Sequence, residues 1–153
     1  MYKRQVQIQF SLLAPDLGKQ YQVKKICDEN NIDFFAYSPL SFGILCIDPD
    51  KKENKEKSFI RNALFENYKK PTYELRRCLK RIANRRSVSQ AQVAINWCCY
   101  QGTIPLVGMR KKSQVIDVSN VFKWNLNKNE FAVLQEVSKN CLTKMPKNPF
   151  SSM

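Results

Sequence analysis

The sequence predicts an α/β protein built on a parallel sheet, and three observations carry that prediction. In Gln5–Leu13, Val6, Ile8 and Phe10 alternate with glutamines, which is a strand pattern. Ile32–Tyr37 is a nearly continuous apolar run, the character of a parallel strand covered on both faces. Thr103–Gly108 is a third short run, with Pro105 at a tolerated position near its start. Helical material follows each strand, and the first two strands with their helix form a βαβ unit of right-handed crossover.

The elements follow in order. The first strand begins so close to Met1 that the chain reads as starting inside a larger structure. Pro15, Asp16 and Gly18 predict a turn, and Gln20–Asn30 a helix with Tyr21, Val23, Ile26 and Cys27 on its buried side. Asn30-Asn31 breaks it before the second strand. A long connection, Ser41–Thr72, holds a charged stretch at Asp48–Lys57 and a helical turn or two at Phe59–Tyr68; so long a loop is functional or an insertion. Tyr73–Asn84 is helical, with Leu75, Cys78, Leu79 and Ile82 at helix spacing. Ser87-Val88-Ser89-Gln90 fits a capping box for a further helix that buries Ala91, Ala94, Ile95 and Cys98 beside Trp97 and ends at Gly102. Lys112–Lys123 is helical through Val115, Val118 and Phe122. A last helix is capped at Asn127-Lys128-Asn129-Glu130 and buries Phe131, Leu134 and Val137. The expected domain is 1–145, with 146–153 a frayed tail.

A chain of 153 residues suffices for one domain but not for a closed eight-unit β/α barrel, which needs about 250. The formal charge of +13 can attract phosphates, anionic lipid or nucleic acid. Its denser groups are Lys51–Lys57, Arg76–Arg86 and Arg110–Lys112. A helical set such as Arg76, Arg77, Lys80, Arg81, Arg85 and Arg86 is ordinarily a solvated face. The six cysteines show no CxxC pair and the chain has no histidine, so no zinc-site spacing exists. Thiols within apolar helical patterns act as small hydrophobes, which predicts a reducing compartment, the cytoplasm, without disulfides. No apolar stretch approaches membrane-spanning length, and Met1–Phe10 lacks the continuous apolar region of a signal peptide.

In parallel α/β sheets ligands bind beyond the carboxyl ends of the strands. That directs attention to Ser11–Pro15, Tyr37–Gly43 and Gly108–Lys112. Gly108-Met109-Arg110-Lys111-Lys112-Ser113 joins a strand to a helix start, where free N–H groups and basic side chains suit a phosphate; an ordinary basic loop is the alternative. Tyr37 could present a flat face to a heteroaromatic ring, or could simply be a core tyrosine.

Together these segments resemble the C-terminal part of the aldo-keto reductase family. The resemblance rests on Gln5–Leu13, Ala36-Tyr37-Ser38-Pro39-Leu40 with Gly43, Ala91–Trp97, Gly102–Gly108 with Gln114, and Trp124-Asn125-Leu126 with Glu130. It implies the C-terminal portion of a (β/α)8 TIM barrel, about three β/α units plus a C-terminal helix, incomplete as a barrel. It implies NADP as cofactor and carbonyl reduction by hydride transfer. Carried across, Gln5 matches the glutamine that bonds the nicotinamide carboxamide, and Tyr37 the tyrosine stacked under that ring. Ser38 and Leu40 match pyrophosphate contacts. Gly108, Met109 and Arg110 match the loop that receives the adenosine 2′-phosphate, and Gln114 and Asp117 lie where adenine and its ribose bind. Arg4 stands where the family usually has asparagine, and Val118 where it often has a polar residue.

The family's catalytic aspartate, tyrosine, lysine and histidine belong to an N-terminal half that this sequence does not match, so no catalytic residue is assigned. The expectation is a fragment that is inactive alone and acts on a small-molecule carbonyl substrate once completed by such a half. The alternatives are a catalytically silent, aldo-keto-reductase-like protein that senses cofactor or binds a partner, and a basic nucleic-acid-binding protein. Dispersed charge and the lack of a recognition motif speak against specific nucleic-acid binding, and no membrane partner is expected.

Overall fold

A computed structural model describes residues 4–14, 17–51, 66–141 and 143–145. Three parallel strands, β1 (Gln5–Gln9), β2 (Asp33–Tyr37) and β3 (Ile104–Leu106), lie in the order β1-β2-β3 in a sheet that does not close. Around them run α1 (Leu17–Glu29), a 3-10 turn (Ser41–Cys46), α2 (Tyr73–Arg86), α3 (Gln90–Tyr100), α4 (Lys112–Ser119), a second 3-10 turn (Asn120–Lys123) and α5 (Lys128–Asn140). The segment expected as Phe59–Tyr68 lies largely outside the described residues, and so do most of the charged connection and the tail.

Register decides which side chains share a face. Gln5 pairs with Asp33, Gln7 with Phe35 and Gln9 with Tyr37; Phe35 and Tyr37 pair in turn with Ile104 and Leu106. Because successive side chains alternate, these residues stand on one face, and Val6, Ile8, Phe34 and Ala36 on the other. The second face carries the core. Trp97 of α3 is fully buried and stacks on Phe10 at 5.3 Å and on Phe131 of α5 at 6.4 Å. On the first face Ile104 and Leu106 are 43% and 39% exposed. The expectation that β2 is covered on both sides therefore fails: among the described residues, helices pack on one side only.

Local chemistry accounts for several helix ends. Ser89, not Ser87, caps α3 by accepting the Gln92 N–H (3.1 Å), because Ser87 is spent as the left-handed C-cap of α2 (φ 54°). Gly102 closes α3 at φ +69°, a conformation that disfavours a side chain. Asn127 and Glu130 form the expected capping box of α5, each side chain accepting the other's backbone N–H at 2.9 Å.

Several amphipathic assignments need correction. Ile26 is 55% exposed, while Gln20 and Lys24 of α1 are buried. Helix α4 stops at Ser119 and buries nothing; Val115 is exposed, and Phe122 is 79% exposed while Val121 takes the inward place. The basic face of α2 is only partly solvated. Arg76 is buried and donates to Thr72 Oγ1 and to the carbonyls of Ile47 and Lys69. Lys80 reaches Asp48 and Asp50, and Arg86 grips Glu130 through two bonds of 2.9 and 2.7 Å.

Candidate functional site

A parallel sheet delivers all its carboxyl ends to one edge, and two cavities lie there. The loop after β2 turns sharply: Ser38, Ser41, Phe42 and Gly43 all have positive φ (54°, 50°, 57° and 95°). The loop is held by Ser41 N–H to Ser38 O (3.0 Å), Gly43 N–H to Leu40 O (2.9 Å) and a buried Ser11–Ser41 hydroxyl pair at 2.9 Å. The turn swings back toward the end of β3. A cavity of about 440 Å³ results, walled by Ser38, Leu40 and Phe42 on one side and by Gly108, Arg110 and Gln114 on the other. A neighbouring cavity of about 280 Å³ is lined by Leu40, Ser89, Met109, Gln114, Asp117 and Val118. The larger falls within the range usual for small-molecule sites, roughly 300–1,000 Å³.

Gln114 faces both cavities. Its side-chain oxygen accepts the backbone N–H groups of Arg110 (2.8 Å) and Lys111 (3.0 Å). The donors that this helix start offers are thus held by the neutral amide oxygen of Gln114. Asp117 accepts from Ser89 Oγ and Gln92 Nε2, both at 2.6 Å, and Gln92 in turn accepts Trp124 Nε1–H at 3.1 Å. This chain of bonds fixes α4 against the start of α3 and gives the second cavity its shape. The thiols of Cys78, Cys98 and Cys99 are pushed up, chiefly by burial, which marks them as packing groups rather than nucleophiles.

A sequence profile of the Aldo/keto reductase family matches residues 4–139. The chain belongs to that family. It is 35% identical over 147 residues to the chloroplastic pyridoxal reductase of Arabidopsis thaliana, covering 95% of this chain and 39% of that protein. It is 27% identical over 120 residues to Protein REDOX 2 of Catharanthus roseus, covering 78% of this chain and 30% of the relative. Among solved structures, the glycerol dehydrogenase of Gluconobacter oxydans superimposes with a TM-score of 0.69 at 22% identity, over 97% of this chain and 46% of that one. The chain thus spans less than half the length of each of these aldo/keto reductases and relatives.

Most of the residues singled out in the sequence meet at one edge. Ser38, Leu40, Gly108, Arg110 and Gln114 line the larger cavity; Met109 and Asp117 line the smaller, with Leu40, Gly108 and Gln114 shared between the two. Tyr37 closes β2 on the open face, half-buried, in register with Gln9 and Leu106. Gln5 is the exception. It opens β1 opposite Asp33, at the amino end, four residues and roughly 13 Å of strand from the level of Tyr37. Gln9 holds the position beside Tyr37 and is 6% exposed. Phe42 and Ser89 also line these cavities and were not singled out in the sequence, the first because backbone conformation leaves no trace in side-chain periodicity.

Proposed function

We propose that this chain is the cofactor-holding part of an NADP-dependent aldo/keto reductase: about three β/α units and the C-terminal helix of the barrel, within residues 1–145. The observation that carries the reading is the convergence of Ser38, Leu40, Gly108, Arg110 and Gln114 on one cavity at the carboxyl ends of β2 and β3. The family generally uses a nicotinamide dinucleotide, and the donor set fits one. Arg110, Lys111 and Lys112 supply cations where a 2′-phosphate would lie, and a charge-assisted bond contributes about 1.5–3 kcal/mol. Ser38 and the curled 38–43 backbone suit the pyrophosphate. Tyr37 offers a ring face to nicotinamide, and a glutamine of β1 its carboxamide partner: Gln5 by the resemblance, or Gln9 by its place beside Tyr37.

When bound, the cofactor supplies hydride to a carbonyl carbon. The residues described here bind and orient; the proton for the carbonyl oxygen has to come from an acid on another part of the barrel. We read that part as the source of the catalytic tetrad, and the protein so completed as a reductase of small carbonyl compounds. The cysteines within apolar helical patterns suit a reducing compartment, which we read as the cytoplasm. Among the described residues no helix is long and apolar enough to cross a membrane.

Titration of the protein into NADPH, followed by cofactor fluorescence, tests the reading. Wild type should bind, and Arg110→Ala should weaken NADPH roughly tenfold or more while changing NADH little. Equal losses for both cofactors would deny Arg110 the 2′-phosphate. No NADPH response, with tight and steeply salt-dependent binding to random DNA, would favour the nucleic-acid alternative instead.

A further inference from the structure

We propose that the groove between α2 and α5 is a docking site for an acidic peptide segment of a partner protein, held by Arg77, Arg81 and Arg85. Helix α2 carries six basic side chains between Arg76 and Arg86, and the fold employs three of them. Arg76 is buried against backbone carbonyls, Lys80 is bonded to Asp48 and Asp50, and Arg86 to Glu130. The other three are exposed and form no ion pair among the described residues; Arg81 donates to the Cys78 thiol at 3.9 Å. Their spacing is i, i+4, i+8, so they stand in one line along the helix, each a turn and about 6 Å from the next. Like charges at this spacing destabilise a helix, and these arginines make two such pairs. An anionic partner laid along the line would relieve both.

The line borders space that a ligand can fill. A cavity of about 550 Å³ is lined by Arg77, Arg81 and Arg85 together with Cys78 and Val137. A second, of about 220 Å³, shares Arg81 and Arg85 and adds Ile82 and Val133. Guanidinium forks bind carboxylates bidentately, and the valines of α5 offer apolar contact between them. On an extended peptide every second side chain points the same way, about 6–7 Å apart, which matches the step between the arginines. Nucleic acid is the poorer occupant. Among the described residues no aromatic side chain lines either cavity for bases to stack on, and Asp50 and Glu74 stand in the larger one, against an unbroken run of phosphates. Neither cavity shares a lining residue with the two at the carboxyl ends of the strands, so the proposal stands apart from the cofactor reading.

Fluorescence anisotropy of a short labelled peptide alternating glutamate with valine tests the proposal. A peptide with serine in place of glutamate and a labelled oligothymidine are the comparison probes, all at one salt concentration. Wild type should bind the glutamate peptide more tightly than either. The triple variant Arg77→Gln, Arg81→Gln, Arg85→Gln should lose roughly tenfold or more of that affinity. It should melt no lower than wild type, because two like-charge pairs disappear. A control with the same loss of charge on exposed residues outside the groove, Arg4→Gln, Lys25→Gln, Lys123→Gln, should keep most of the binding. Equal losses in the two triple variants overturn the proposal, since long-range attraction alone would then account for the binding. So does equal affinity for the serine peptide, or a groove variant that melts lower by more than about 4 °C, which would make the arginines part of the fold. Oligothymidine that binds more tightly than the glutamate peptide, and is lost in the groove variant, would make this a nucleic-acid surface instead.

Discussion

On one face of the sheet Phe34 and Ala36 are 2% and 0% exposed, with Phe10 and Trp97 filling the space beneath α3; on the other, Ile104 and Leu106 are 43% and 39% exposed. Hydrophobicity separates the two only in part, since the open face carries Gln5, Gln7, Gln9 and Asp33 beside its apolar residues. Phe35, Ile104 and Leu106 are as apolar as Val6, Ile8 and Ala36. The difference is the supply of helices. Helices follow the strands and pack where right-handed crossovers take them, on one side. The other side of a parallel sheet is covered in a barrel by its own curvature, which three strands do not provide.

The largest expected effect breaks the covered face. Trp97→Ala removes a fully buried ring stacked between Phe10 and Phe131 and should cost about 3–5 kcal/mol in a urea titration, enough to unfold a marginal domain. Leu106→Ser on the open face should stay within about 0.5 kcal/mol of wild type. A loss near that of Trp97→Ala would mean that something covers this face in solution.

Asn96→Ala comes next. Asn96 Nδ2 donates to the carbonyls of Val121 (3.3 Å) and Trp124 (2.8 Å), and its oxygen accepts the Leu126 N–H at 2.9 Å. Its loss leaves buried backbone groups unpaired, at about 1–3 kcal/mol in the same titration. A negligible change would show that water replaces the amide.

The smallest effect lies at the rim. The Arg86 guanidinium bonded to Glu130 holds that carboxyl below the usual glutamate range. A depressed carboxylate contributes stability above its ordinary value and loses it as pH falls through the folded value. The gap in melting temperature between wild type and Glu130→Gln should therefore be constant above about pH 5 and close below about pH 4. Its size corresponds to roughly 0.2–1 kcal/mol, as for other partly exposed pairs. A gap that widens on acidification would contradict the pairing.

Local chemistry made much of this molecule readable in advance. Alternation around Val6, Ile8 and Phe10 located β1, the Asn127–Glu130 box located the start of α5, Gly102 located the end of α3, and the loops after β2 and β3 were singled out at the edge where the structure has two cavities. Each of these depends on residues a few positions apart, so the chain itself determines them. Tertiary structure alone decided the rest. That Gln9 and not Gln5 stands beside Tyr37 follows from pairing between strands about thirty residues apart. Arg76 is buried because distant carbonyls of Ile47 and Lys69 converge on it. Phe42 takes a left-handed backbone because a turn between two strand ends requires it. Register, burial of a charge and backbone strain all arise from contacts between segments remote in sequence, and no local periodicity encodes them.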